Sequence, residues 1–425
     1  MTTDLYTTQK QKSGWESLAD VAFFTWLVTA FFSERSSIGR LSLLFFMGSV
    51  ALFIFFKAAD IKKINNLPSA VNMYFEAYVV FYIYNFWRIH INGIIMNYIL
   101  AADMLKTVGI NGIFLYFVYK YCVMKNDMEK ILRVYVIAQM ISIAVVIIRS
   151  GGGILTGRLG SESGVSANVI ALVSINCIVI ILHRMSKKSS MMNVFLILFY
   201  MAVILLTGSR KGLIGMAMGF FLYFSMDKGY KKIRNILFAI IIVVISYLLI
   251  MNVDFLYDIA GHRVEALFSY FKGESFNEAS LSSRDDYTQL GWKYVGKRLW
   301  SGYGLDCFRL LKGAYGTYSH NNYLELMFGC GLIGTVLYYV GYVYVLFGHL
   351  KLYFIHKLND VKPYIVIMVV QMFLEYANVT YFERTSIIFV VISLGALQLL
   401  KSKINITEGK DKDAKNIKEI DEKSV

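Results

Sequence analysis

Residues 234–251 read RNILFAIIIVVISYLLIM, and the 68 residues that follow, Asn252 to Ser319, are the only long polar stretch in the chain. The first stretch would be apolar on every face of a helix, a pattern that suits lipid or a buried span and not a water-facing surface. The second runs into Ser-His-Asn-Asn at 319–322, where apolar sequence resumes. A chain that leaves an apolar medium once, for one large loop, and places a histidine at the point of return has the organisation of an enzyme working at a membrane surface.

The same reading extends in both directions. Of the 425 residues, 57% are hydrophobic and 16% aromatic, with only two prolines, and mean hydropathy is +0.53. The apolar residues come in blocks, and a helix needs roughly 20 such residues to cross ~30 Å of hydrocarbon. About twelve spans are predicted, near 19–32, 38–56, 69–87, 107–124, 131–148, 166–183, 191–207, 211–226, 234–251, 321–347, 363–376 and 385–400. The expected fold class is therefore all-α, a polytopic membrane protein with one long loop containing short helices. Four segments follow: an N-terminal helix bundle (1–251), the loop (252–319), C-terminal helices (320–400) and a charged tail (401–425) expected to be disordered. No cleavable signal peptide is expected, because the first eighteen residues are polar and no small-residue cleavage site follows the first apolar run.

The net charge of +14 does not indicate nucleic acid. With alternate loops assigned to the cytoplasm from the N-terminus, 26 Lys and Arg fall on that side and 9 in the short loops opposite. The long loop holds 8 more, balanced by its own 8 Asp and Glu. This asymmetry is the positive-inside pattern, so both termini and the tail are expected in the cytoplasm and the long loop outside. The internal loops have room for little beyond a turn, which excludes a synthase with a cytosolic nucleotide-sugar domain. Cys122, Cys177, Cys307 and Cys330 show no CxxC pairing, so neither a disulfide nor a zinc site is expected.

Within the loop, Arg263–Phe271 has a short helical pattern and Gly273–Ser280 reads as a turn. Ser282 can cap a helix from Ser283, which would bring Tyr287, Leu290 and Tyr294 onto one face, to rest at headgroup level. Gly302-Tyr303-Gly304 then turns the chain.

Several motifs bear on chemistry. Arg210 and Lys211, in Thr207-Gly-Ser-Arg-Lys-Gly212, stand on the side disfavoured for cations, where an anionic ligand would compensate them; snorkelling is the plainer alternative. Arg149 and Arg158 flank glycines in another outer loop that leads through Asn168 into a span, and suit either anion contact or a simple connector. Arg284, beside Asp285 and Asp286, reads on its own as a solvated or paired charge. His320 would occupy a first helical turn, where the helix dipole disfavours the imidazolium; position alone admits a base or a cap. The other histidines, His349 among them, are expected at membrane interfaces. Gly329-Cys-Gly331-Leu-Ile-Gly334 matches the dinucleotide fingerprint only in letters, since it opens no βαβ unit; small residues there would let two helices approach. Ser301-Gly-Tyr-Gly304 lacks the upstream residues of a potassium filter.

From Arg284 to Tyr339 the chain resembles the O-antigen ligase and polymerase superfamily of bacterial envelope glycosyltransferases. The residues concerned are Arg284…Trp292, Gly302-Tyr-Gly304 with Phe308, and His320-Asn321…Leu324…Gly331…Gly334, with Thr207-Gly-Ser-Arg210 and Asn168 upstream. The sequence departs from the family in lacking proline before Gly302 and before Asn168. The resemblance implies an inverting glycosyltransferase of the inner membrane that needs no metal or other cofactor, with its site facing the periplasm. Its donor would be an oligosaccharide on undecaprenyl diphosphate, and its acceptor another lipid-linked repeat unit for an O-antigen or capsule polymerase. For a ligase the acceptor would be lipid A-core. It implies His320, Arg284 and Arg210 as catalytic residues, and Lys211, Arg158, Asn168 and Asn321 as substrate contacts. Membrane lipid and a chain-length regulator protein are further expected partners. A lipid-linked oligosaccharide flippase is a third reading, disfavoured because no repeat is visible and Pro68 and Pro363 lie at span ends.

Overall fold

The computed structural model describes residues 14–33, 37–57, 73–91, 95–151, 157–160, 164–272 and 279–423. Among them there is helix and no strand. The helices are α1 (Gly14–Ser33), α2 (Ser37–Phe56), α3 (Met73–Ile89), α4 (Tyr98–Lys125), α5 (Met128–Ser150), α6 (Ala167–Lys187) and α7 (Met191–Leu206). They continue as α8 (Arg210–Ser225), α9 (Gly229–Asn252), α10 (His262–Lys272), α11 (Ala279–Val295), α12 (Asn322–Phe354), α13 (Lys362–Leu374) and α14 (Arg384–Lys423).

Each of the twelve stretches read as spans overlies one of α1–α9 or α12–α14. Among the described residues, seven helices (α2, α4, α5, α6, α9, α12 and the first part of α14) are long and apolar enough to cross a membrane, and the chain is a multi-pass membrane protein. Four others, α3, α7, α8 and α13, have 17, 16, 16 and 13 residues, short of the usual span length.

Boundaries follow the polar residues between apolar blocks. Asn97 Oδ1 accepts from Leu100 N at 3.0 Å and Asp127 Oδ1 from Lys130 N at 2.9 Å, so each satisfies an amide that a helix start leaves without a carbonyl. Asn126 ends α4 in the left-handed conformation, φ 50°. The bundle is layered by burial: 83% of the most apolar window of α6 is enclosed but only 17% of that of α9, so α6 is an inner helix and α9 turns its isoleucines outward. At one end, Lys125 ties α4 to α1 through Glu16 and Asp20, both at 2.7 Å. The N-termini of α6, α8, α12 and α14 gather at the other end, beneath the long loop.

The loop departs from expectation in three places. The helix expected from Ser283 begins at Ala279, because Ala279 and Leu281 favour helix and extend it upstream; residues 273–278 of the expected turn lie outside the described residues. The aromatic face of α11 does not rest at headgroup level. Tyr287 is buried, and Leu290 and Tyr294 pack with it against Phe308, Leu324 and Phe328. Trp292 of α11 and Trp300 beyond it are exposed instead.

The third departure concerns the glycines of α12. Gly331 has φ 67° and breaks the helix, and the partner that approaches there is the loop. A Cβ on Gly331 would lie 2.3 Å from the Trp300 carbonyl oxygen. The loop backbone completes the break: Leu332 N donates to Leu299 O (2.7 Å), Tyr303 N to Phe328 O and Gly304 N to Gly329 O (both 2.8 Å). Arg88, only 1% exposed, donates to the Gly329 carbonyl at 3.2 Å. Of the three glycines at 329, 331 and 334, Gly334 alone faces a neighbouring helix, beside the Tyr84 ring of α3.

Two further expectations are corrected. The tail from Lys401, expected to be disordered, continues α14 to Lys423; it contains no proline, and its seven Lys and three Glu favour helix. His349, expected at an interface, is fully enclosed and donates from Nε2 to the Ser393 carbonyl at 2.9 Å.

Candidate functional site

The site assembles from four helix starts and two loops. Ser209 is the N-cap of α8, accepting from Gly212 N at 3.2 Å, and it donates to Asn168 Oδ1 at 2.8 Å. That bond joins the starts of α6 and α8 and engages Asn168, expected as a substrate contact, in holding them together. Arg158 Nε donates to the Thr207 carbonyl at 2.8 Å and Leu159 N to Leu206 O at 3.0 Å, which places Arg158 over the end of α7, beside Arg210. Gly208, at φ 54°, lets the Ile259 carbonyl close over this turn; a Cβ would stand 2.5 Å from that oxygen. Lys211 completes the group. It is in electrostatic contact with Arg284 of α11, Glu383, Arg158 and Arg210, and its Nζ is buried with no hydrogen-bond partner among the described residues.

His320 reaches the cations from the other side. It does not lie in the first turn of α12 but one residue ahead of its N-cap, Asn321, in the left-handed conformation with φ 60°. Histidine is among the residues enriched there, and the neighbours determine it. Ser319 N donates to Glu325 Oε2 at 2.8 Å and Ser319 Oγ to Asn321 O at 2.9 Å. Asn321 Oδ1 accepts from Tyr323 N and Leu324 N at 3.0 and 3.1 Å, so this residue, expected to contact substrate, caps the helix. The His320 ring is left between Tyr318 (centroids 4.5 Å apart) and Tyr287 (6.1 Å, stacked). No described residue hydrogen-bonds to its nitrogens.

The ring is kept neutral for a different reason from the one expected. Burial first, then the positive charges of Arg284 and Lys211, push His320 down to about 4. The α12 dipole is not needed for this. A neutral imidazole with an open nitrogen, next to cations on three other segments, can accept a proton while an anion leaves. Ser319 and Ser209 are both buried, so reagents added from outside will not reach them.

Behind His320 lies a network that sequence reading missed. Asn322 Nδ2 donates to Tyr339 OH (2.8 Å) and Glu375 Oε2 (3.2 Å), while its Oδ1 accepts from Thr380 N (2.9 Å) and Tyr381 N (3.1 Å). Glu375 also accepts from Tyr339 OH at 2.6 Å and Thr380 Oγ1 at 2.8 Å. These bonds fix the start of α12 against the turn before α14, which carries Glu383 towards Lys211. Glu325 and Glu375 could have been found, because an acid inside an apolar block is a functional candidate by default. Tyr318 and Tyr287 gave no such signal. Among the described residues, no three His, Cys, Asp or Glu come together as a metal site.

Residues 193–339 match the family model described as O-antigen ligase. The match supports the O-antigen ligase and polymerase superfamily. It runs from α7 to the middle of α12 and contains Arg210, Lys211, Arg284 and His320, whereas Arg158, Asn168, Glu375 and Glu383 lie outside it. No curated protein matches the chain. The family supports a ligase- or polymerase-type glycosyltransferase function, with a lipid-linked oligosaccharide as partner.

Proposed function

We propose that this protein is an O-antigen or capsule polymerase of the bacterial inner membrane, joining lipid-linked glycans at the periplasmic face. The observation that supports it best is the convergence of Arg158, Arg210, Lys211 and Arg284 beside an imidazole that has no hydrogen-bond partner among the described residues. In the proposed reaction an acceptor sugar hydroxyl attacks the anomeric carbon of the donor glycan from the face opposite the diphosphate. His320 takes the hydroxyl proton as the new C–O bond forms. The bond from the anomeric carbon to the diphosphate oxygen breaks, and undecaprenyl diphosphate leaves with the electron pair, its charge stabilised by the arginines. The configuration inverts, and no step requires a metal. Asn168 and Asn321 act by holding the helix starts that carry these groups.

The description of the matched segment as O-antigen ligase favours a second reading in which lipid A-core is the acceptor, attacked through the same site. The lipopolysaccharide gel of a deletion strain separates the readings. A single repeat unit on core is expected for a polymerase. Full-length chains left on the carrier would establish the ligase, and repeats retained inside the cell would overturn both in favour of a flippase.

Orientation is tested by cysteine labelling. Tyr315, 89% exposed on the loop beside the site, is the position to substitute, because Ser319 and Ser209 are inaccessible. Tyr315→Cys is expected to react with an impermeant maleimide from the periplasm, and Lys188→Cys only after the inner membrane is opened. The reverse pattern would remove the mechanism.

A further inference from the structure

At the end of the bundle opposite His320 lies a cavity of about 720 Å³, bordered by the starts of α5 and α7, the end of α6 and the middle of α14. We propose that it binds the headgroup of an anionic phospholipid. The walls are of two kinds. Leu132, Ile180, Tyr364 and Leu399 form an apolar side, while Arg133, Arg184, Lys187 and Lys188 bring positive charge to the rest.

The acids that line the cavity are already engaged. Glu129 pairs with Arg133 at 3.1 Å, Asp360 with Lys187 at 2.8 Å and with His183 at 3.6 Å, and Asp127 caps α5. Arg184 donates no side-chain hydrogen bond to any described residue and stands in the fields of Arg133 and, with opposite sign, of Glu129; because Glu129 is already paired with Arg133, an anion between the two guanidinium groups would compensate the remaining charge. The start of α7 adds to this. Its N-cap, Ser190, makes no side-chain cap hydrogen bond, so the first amides of a 16-residue helix border the same cavity without a capping oxygen.

A phosphate group would take two guanidinium groups and these amides, and its acyl chains would lie along the apolar side. Basic pockets between membrane helices take anionic lipid headgroups in this way. The apolar wall is the argument against a free phosphate compound, which has nothing to place there. The site is separate from the candidate active site: α6 runs from Asn168 at one to Arg184 at the other, sixteen residues or ~24 Å at the usual helical rise. A bound lipid would tie α5, α6 and α7 to α14 on the side away from chemistry.

The test uses the full chain purified in non-ionic detergent, with the unfolding temperature followed as lipid is added. Phosphatidylglycerol or cardiolipin is expected to raise it by several degrees, while phosphatidylcholine and glycerol phosphate leave it unchanged. Replacing Arg184 and Lys188 together by glutamine should abolish the shift, yet leave the lipid-free protein about as stable as before, since neither side chain hydrogen-bonds to a described residue and the opposing fields of Arg133 and Glu129 on Arg184 are lost together. Arg184→Lys, which keeps the charge, should retain most of the shift. Should the double variant not fold, mass spectrometry of lipids carried through purification decides on the unaltered chain, where anionic lipid should be enriched over its share of the membrane. An undiminished shift in the double variant, an equal response to phosphatidylcholine or no enrichment would overturn the proposal. A response to glycerol phosphate equal to that of the lipids would assign the cavity to a soluble phosphate compound instead.

Discussion

His320→Gln is expected to lower glycan transfer by about 10²- to 10⁴-fold, the usual contribution of a positioned general base, while the donor still binds. Glutamine keeps a polar group of similar reach between Tyr318 and Tyr287 but has no nitrogen able to accept a proton. Its effect therefore separates a base from a residue that only orients the acceptor. The pH dependence adds a second readout with a definite sign. Burial and the charges of Arg284 and Lys211 lower the free-enzyme value to about 4, so the ring is neutral at every working pH and the acid limb of kcat/KM should fall near pH 4. A bound diphosphate offsets those two cations and stabilises the imidazolium, which raises the value. The acid limb of kcat, which reports the complex, should lie at higher pH than that of kcat/KM. Full activity in His320→Gln, or a kcat limb at the lower pH of the two, would end the base assignment.

Arg284→Lys and Arg210→Lys should each lower transfer on the order of 10²-fold, the scale seen when one transition-state donor is removed. An ammonium keeps the charge but cannot offer two parallel N–H bonds to diphosphate oxygens. Charge and geometry are separable here. Arg284→Lys should leave the acid limb of His320 where it is, whereas Arg284→Gln, which removes one of the two cations acting on the ring, should move it up towards the ordinary ~6.5. Chain-length profiles and initial rates in membranes from complemented strains measure both. Near-normal chains in both lysine variants would reduce these arginines to helix anchors.

Much of this was legible in the sequence, for identifiable reasons. Blocks such as Ile236–Met251 determine helix wherever they are placed, because an apolar medium obliges the backbone to satisfy its own hydrogen bonds. The position of the polar loop and the bias of Lys and Arg between alternate loops are properties of order along the chain, and they placed Arg210, Arg284 and His320 at one end of the bundle. Two of the acids in apolar blocks, Glu325 and Glu375, are equally visible in the sequence.

What local pattern could not contain is pairing between distant segments. His320 was read as part of a helix because the apolar run begins just after it. It precedes the cap because Glu325 and Asn321 take the amides of Ser319, Tyr323 and Leu324, and that choice turns its ring towards Tyr287 and the field of Arg284. The glycines at 329–334 were read for helix contact, since small residues carry no mark of what approaches them. Only the folded chain showed that Leu299–Gly304 supplies the hydrogen bonds that Gly331 breaks. Composition and order determined that this protein is a bundle of membrane helices with Arg210, Arg284 and His320 at one end. Tertiary structure decided which of them meet, because interactions between residues more than a hundred positions apart, such as Lys211 with His320 and with Glu383, depend on how whole helices pack and leave no periodic trace in the segments that make them.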